Sequence, residues 1–127
     1  MSLYNYIKEH YAFQDTKWAE DLYRQYLDKE GYTILEKDYG FIVYKFQGDA
    51  CIIQDIYTTF EARKQRKAWD LFKLVQNEIN KHSRCTVIIG FSEHAGIDNQ
   101  HGVGAMLAAG FKPVYELTER TVYVRGI

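Results

Sequence analysis

The stretch ACIIQDIYTTFEARKQRKAWDLFKLV, residues 50–75, decides the fold. Its first nine residues are rich in β-branched and aromatic side chains, which predicts a strand at 50–58. Apolar residues then recur at helical spacing, which predicts a helix at about 63–81. Because another apolar, β-rich run follows at 86–91, we expect a right-handed βαβ crossover whose two strands are parallel.

The rest of the chain supplies helices and antiparallel strands around this crossover. Asp15 is a predicted N-cap, and Gly31 and Gly110 are predicted to end helices in the left-handed conformation. Strand-like runs separated by turn residues predict hairpins. The predicted elements are helices at 3–11, 15–31 and 99–109, and strands at 32–36, 41–47, 111–117 and 121–124. The fold class is therefore mixed α+β, with a mostly antiparallel sheet and one parallel βαβ crossover.

Length and composition indicate one soluble domain. The chain has 127 residues and one proline, so we expect no linker, and we expect residues 1–31 to form a helical cap on a core of residues 32–127. No segment has the apolar length of a signal peptide or a membrane span, so we expect a cytoplasmic protein without a membrane partner. The net charge of −1 gives no general attraction for nucleic acid. The eleven tyrosines are consistent with a homodimer.

The two cysteines, Cys51 and Cys85, fall in strand-like runs. Neither has His or Cys at a spacing typical of metal ligands, so we expect free, buried thiols and no metal site. The sequence also lacks the motifs typical of nucleotide hydrolysis, zinc chemistry and acyl-serine chemistry.

Four cations, Arg63, Lys64, Arg66 and Lys67, lie where the long helix is predicted to begin. Unsatisfied N–H groups make a helix N-terminus electropositive, so each cation there is unfavourable by a few tenths of a kcal/mol. One interpretation is an anion site, because a helix that begins after a strand commonly binds phosphate. The alternative is a solvated first turn that neighbouring carboxylates partly neutralise.

Two segments, DIYTTFEARKQRKAWDLFKLV and DNQHGVGAMLAAGFKPVYE, together with the order of elements, resemble the GNAT superfamily of acyl-coenzyme A-dependent N-acyltransferases. The resemblance covers residues 32–127 and implies direct transfer of an acetyl group from acetyl-CoA to an amine. It implies a coenzyme site in a cleft between the strands at 50–58 and 86–91. The chain also resembles small divergent members encoded by tailed bacteriophages.

The resemblance also implies which residues bind the coenzyme. The strand would contact the pantetheine arm, and the following loop would wrap the pyrophosphate. Arg66 stands where the family prefers Gly, Lys64 where a second Gly is common, and Met106 where the family often has a proton-donating Tyr. The implied coenzyme-binding residues are Ile56, Tyr57, Thr58, Arg63, Lys64, Gln65, Arg66, Lys67, Ala68 and Asn99.

The attacking amine must lose a proton, so a base is expected near the parallel strands. Asp55, Glu93 and His94 are the alternative candidates by position, and each has an ordinary structural interpretation as well. Strict alternation along the strand predicts that Asp55 and Tyr57 share a face with Cys51 and Ile53.

Three functions are compatible with these observations. The first is an N-acetyltransferase whose acceptor amine the sequence does not identify. The second is a protein of this fold without turnover, a binding or structural protein that is phage-associated, as the Arg66 and Met106 departures allow. The third is an α+β domain that shares only the fold, since fold alone does not confer function.

Overall fold

The computed structural model describes residues 2–11, 14–81, 84–93, 104 and 106–127, apart from the side chains of Lys64 and Glu93. The helices are α1 (Ser2–His10), α2 (Thr16–Lys29), α3 (Phe60–Lys64) and α4 (Lys67–Asn80), and the strands are β1 (Thr33–Lys37), β2 (Gly40–Gln47), β3 (Ala50–Thr58), β4 (Val87–Glu93), β5 (Lys112–Glu116) and β6 (Arg120–Gly126). The strands form one sheet in the order β1-β2-β3-β4-β6-β5. Among the described strands, β3 and β4 are the parallel pair and the other neighbours are antiparallel. The predicted mixed α+β class is confirmed.

Helices cover both faces of the sheet. The apolar stripe of α4 packs on one face, where the buried residues include Ile42, Cys51, Ile53, Leu71, Val75 and Ile88. Helices α1 and α2 pack on the other face, where the buried residues include Leu3, Ile7, Leu27, Phe41, Val43 and Tyr57. Each face therefore has its own hydrophobic core, and the sheet separates the two.

The predicted helix caps are confirmed. The Asp15 side chain accepts a hydrogen bond from the Trp18 amide at 3.0 Å. Gly31 and Gly110 have φ values of +82° and +92°. After Gly110, the Phe111 amide donates to the Met106 carbonyl at 3.0 Å, a Schellman closure that ends the last helix as predicted. The predicted start of that helix, at residue 99, lies outside the described residues.

The prediction of one helix at 63–81 is wrong. The chain forms two helices, α3 and α4, and Thr59 begins the first by accepting a hydrogen bond from the Ala62 amide at 3.3 Å. Between them Arg66 adopts the left-handed conformation, with φ +57° and ψ +35°. The residues from Arg63 to Lys67 include no apolar side chain, so the hydrophobic pattern could not show where one helix ends and the next begins.

A β-bulge interrupts β3. Val43 pairs with Asp55 and Tyr44 pairs with Ile53, so Gln54 is the extra residue and has no partner on β2. The extra residue reverses the alternation of faces. Asp55 and Tyr57 share the α1/α2 face as predicted, whereas the prediction that Cys51 and Ile53 lie on that face is wrong, because both face α4.

A carboxylate network fixes the two N-terminal helices to the sheet. Glu36 of β1 accepts a hydrogen bond from the Leu3 amide at 2.9 Å, which caps α1 from outside the helix. Arg24 of α2 donates to Glu36 at 2.7 Å and to Glu20 at 2.8 Å. Burial alone would raise the pKa of Glu20, but its hydrogen bonds to Arg24 and Lys17 outweigh burial and the pKa is lowered.

We expect Glu20→Gln to lower the free energy of unfolding at pH 7 by about 1–3 kcal/mol, because it removes the charge from a buried, hydrogen-bonded pair. A lowered pKa in the folded state means that the ionised carboxylate stabilises the fold above its unfolded pKa. That contribution is lost as the pH falls through the folded pKa, below the ordinary value of 4.5. Urea titrations at pH 7, 5 and 3 measure the difference, which should shrink toward pH 3.

Asp21→Asn is the matched control, because Asp21 pairs with the same Lys17 at 3.1 Å but is half exposed. Its effect should stay within about 0.5 kcal/mol. A Glu20→Gln penalty that is the same at pH 3 and pH 7 would contradict this account.

Candidate functional site

A cleft opens between the two parallel strands. Strands β3 and β4 pair at only three positions, ending with Ile52 and Ile89. Beyond these residues, the carboxyl-terminal half of each strand continues without the other as a partner. The bulge at Gln54 follows directly, and a bulge bends a strand and increases its twist. Beyond Ile52 and Ile89 the two parallel strands therefore no longer pair with each other.

The loop after β3 places the four cations differently from the sequence prediction. Arg63 and Lys64 are the last two residues of α3, where the helix dipole favours positive charge. Arg66 is the N-cap of α4 and makes no capping hydrogen bond with its side chain, and Lys67 lies 3.5 Å from the Asp70 carboxylate. Arg66 and Lys67 therefore remain at the start of a helix, whereas Arg63 and Lys64 lie at the end of one. This division reduces the unfavourable interaction between the four cations and the helix dipole.

Arg66 carries the strain that a Gly would avoid. Among the described residues it is the one non-glycine with positive φ. The left-handed conformation places Cβ close to the following carbonyl and costs roughly 1–2 kcal/mol for an L-residue. This conformation is at the position where the resemblance implies Gly. The loop therefore has the backbone shape that the resemblance implies although the residue differs.

We expect Arg66→Gly to be about 0.5–1 kcal/mol more stable than Arg66→Ala, because Gly relieves the backbone strain. Gly also raises the conformational entropy of the unfolded chain, which offsets part of this stabilisation. Both variants remove the guanidinium, so the comparison isolates the effect of the backbone conformation on the free energy of unfolding. Gln65→Gly is the matched control, since Gln65 has an ordinary φ of −99° and should be destabilised instead. Chemical denaturation measures all three, and an Arg66→Gly protein less stable than Arg66→Ala would contradict the assignment.

Met106 and a buried phenol, Tyr123, lie in the core on the α4 face of the sheet. A Cβ built on Gly90 of β4 would lie 3.1 Å from the Met106 sulfur, so Met106 packs directly over the carboxyl-terminal half of that strand. Tyr123 of β6 pairs with Gly90, and its hydroxyl accepts a hydrogen bond from Ser92 Oγ at 3.4 Å. The sequence pattern did not single out Tyr123. The strand register, which brings β6 beside β4, would have been needed to find it.

The α1/α2 face of the sheet bears a pocket beside β3. It has a volume of about 390 Å³ and lies between α1, α2 and the Asp55 side chain of β3. Burial, followed by the charge of Asp55, raises the pKa of Tyr6 and of Tyr23. Both phenols therefore stay protonated at neutral pH and lie close to the carboxylate.

The remaining predicted residues are placed as follows. Ile56 is partly exposed on the α4 face, Thr58 is buried, and the buried Tyr57 donates a hydrogen bond to Glu9 at 3.2 Å. The side chain of Glu93 and all of His94 and Asn99 lie outside the described residues. Asp55 is thus the base candidate that the structure describes in full.

The two thiols are structural. Cys51 and Cys85 are free and buried, as predicted. Burial, with a smaller effect of Cys85, raises the pKa of Cys51 to about 12, so this thiol is not ionised at neutral pH. Within the described part of the chain no group of three or more His, Cys, Asp or Glu is arranged to hold a metal ion. In the same residues no helix is long and apolar enough to cross a membrane.

A mostly antiparallel sheet whose parallel strands part, with helices on both faces, is the fold of the GNAT acetyltransferases. No family model matches the chain, and no curated protein matches its sequence. Solved structures match its fold. The PaiA N-acetyltransferase of Thermoplasma acidophilum, in complex with coenzyme A, superposes with a TM-score of 0.70 at 12% identity over 95% of this chain and 83% of its own.

Two bacterial structures match similarly. A Desulfovibrio desulfuricans protein assigned to the GNAT family of acetyltransferases has a TM-score of 0.71 at 14% identity, with 98% of this chain and 90% of its own covered. The ribosomal-protein-S18-alanine N-acetyltransferase of Escherichia coli has a TM-score of 0.64 at 14% identity, with 92% and 80% covered. At these identities the comparison establishes the fold.

Proposed function

We propose that the protein is an N-acetyltransferase that transfers the acetyl group of acetyl-CoA directly to an amine. The observation that carries the proposal is that β3 and β4 stop pairing after three positions. Beside this point a loop, in which Arg66 has the left-handed backbone conformation, leads into α4. A protein of the same fold has been solved with coenzyme A. The backbone of Ile56, Tyr57 and Thr58 would bind the pantetheine arm.

The loop from Arg63 to Ala68 would hold the pyrophosphate. The N–H groups at the start of α4 and the side chains of Arg66 and Lys67 supply positive charge beside it. Arg66 has its side chain exposed, so the guanidinium is free to turn toward a phosphate. The loop thus fits a diphosphate ester, although the backbone at Arg66 is strained.

Asp55 would act as the base, from the α1/α2 face of the cleft. The amine nitrogen gives its proton to the carboxylate, directly or through water, and attacks the carbonyl carbon. The C–N bond forms, the C–S bond breaks, and the departing thiolate takes a proton. Tyr123 would supply that proton, because its buried hydroxyl lies beside Ser92 near the carboxyl end of β4 and Met106 has none to give.

Calorimetric titration with acetyl-CoA tests the coenzyme site. We expect binding, and we expect the double variant Arg63→Ala, Arg66→Ala to weaken it at least tenfold, about 1.4 kcal/mol, because charge-assisted hydrogen bonds to phosphate are lost. The control removes two exposed cations elsewhere, Lys29 and Lys112, and should leave the affinity unchanged. No heat at millimolar acetyl-CoA would overturn the proposal, and equal affinities would show that the pyrophosphate binds elsewhere.

Tyr123→Phe tests the proton donor. We expect a loss of about tenfold or more in kcat with little change in the affinity for acetyl-CoA, because general acid catalysis contributes about 10²–10⁴-fold. Tyr115→Phe is the control, since Tyr115 lies exposed on the neighbouring strand β5. Unchanged kcat in Tyr123→Phe would remove Tyr123 from the mechanism. Acetyl-CoA binding without transfer to any amine tested would favour a protein of this fold without turnover.

A further inference from the structure

The pocket between α1, α2 and β3 has the size of a small-molecule site. Its volume of about 390 Å³ falls at the lower end of the range of about 300–1,000 Å³ that ligand pockets occupy. Its walls are mostly apolar and come from residues of both N-terminal helices. A cavity of this volume holds more than one unbranched alkyl chain, so its volume fits a ligand with an apolar body about the size of a ring.

Aromatic rings and a single carboxylate determine which charge the pocket accepts. Among the described residues that line it, Asp55 is the one with a formal charge, and four others are aromatic: Tyr6, Tyr11, Trp18 and Tyr23. The faces of aromatic rings attract cations, and a carboxylate forms strong hydrogen bonds with an ammonium group. An anion would be repelled by the Asp55 charge, and none of the described lining residues is a cation.

The rings around the carboxylate are held in place. Tyr6 contacts the rings of Phe41 and Tyr57 at centroid distances of 5.4 and 4.7 Å, so its position is set by the core beneath. Burial and the Asp55 charge both raise the pKa of Tyr6, which keeps its hydroxyl as a donor near the carboxylate. The charged end of the pocket is therefore built before a ligand arrives.

We infer that this pocket binds a small amine with an apolar, ring-sized body, its ammonium group between Asp55 and the aromatic faces. Such an amine would be the acetyl acceptor, a role that rests on the transferase function proposed above. Asp55 lies on the part of β3 that has already separated from β4, so the bound nitrogen is at the cleft. A lysine side chain of a protein would fill less of the cavity and should bind more weakly.

Tryptophan fluorescence measures this binding without any turnover. The chain has two tryptophans, so Trp69→Phe leaves Trp18, on the pocket wall, as the reporter. We expect 2-phenylethylamine to change its emission with saturation, and to bind at least tenfold more tightly than the neutral 2-phenylethanol and than Nα-acetyllysine amide. Equal binding of the amine and the alcohol, tighter binding of the lysine derivative, or no saturation up to 10 mM of the amine would overturn the inference.

Variants separate charge from shape. Asp55→Asn should lower the affinity for 2-phenylethylamine at least tenfold and leave the affinity for 2-phenylethanol unchanged. Tyr11→Leu replaces a half-exposed ring and should lower the affinity for the amine about threefold. This variant keeps the test valid if Asp55→Asn does not fold. Asp21→Asn, a carboxylate of α2 outside the lining, is the control and should bind as the parent does. Unchanged affinity in folded Asp55→Asn, or in Tyr11→Leu, would overturn the inference.

Acetyl-CoA titration of the same protein distinguishes the two proposals. Amine binding as expected without acetyl-CoA binding would overturn the transferase function and retain the ammonium pocket. Acetyl-CoA binding with no preference for the ammonium group would overturn the pocket assignment and retain the coenzyme site.

Discussion

Gln54 is an extra residue in β3, and the geometry of the whole site depends on it. It lies two residues beyond the last position at which β3 pairs with β4, so the bend of the bulge coincides with the parting of the strands. The Tyr32 hydroxyl donates to the Gln54 side chain at 3.1 Å, which fixes the bulge to the segment between α2 and β1. The same extra residue turns Asp55 toward α1 and α2. The bulge thus places Asp55 on the α1/α2 face, and it lies close to the point where the two strands part.

The two faces of the cleft have different chemistry because different helices cover them. The α4 face holds the strained loop at Arg66, Met106 and the Tyr123 phenol. The α1/α2 face holds Asp55 among aromatic rings, and the Glu36 carboxylate connects these helices to the sheet. A strained residue in the loop between α3 and α4 is an observation that points to function, since a Gly there would be more stable. The proposed coenzyme and amine sites meet where the sheet is open.

The fold could be predicted from the sequence largely because local signals agree with one another. Asp15, Gly31 and Gly110 cap helices by the local chemistry that the sequence suggested. The bulge could not be predicted, because it depends on pairing between distant residues. The left-handed Arg66 could not be predicted either, because it lies in a run of polar residues that has no hydrophobic pattern to interrupt. Asp55 was found by its position on a strand. The aromatic pocket and Tyr123 required the packing of α1 and the register of β6, which no local pattern encodes.

The central claim is that β3 beyond Ile52, where it pairs with β2 but no longer with β4, binds acetyl-CoA through its backbone. Amide hydrogen exchange, measured with and without acetyl-CoA, tests it most directly, because amides that gain a hydrogen-bond partner exchange more slowly. We predict that protection rises most at residues 53–58 and in the loop at 63–68, and that β1 changes little. Protection that rises elsewhere while residues 53–58 stay unchanged would contradict the account.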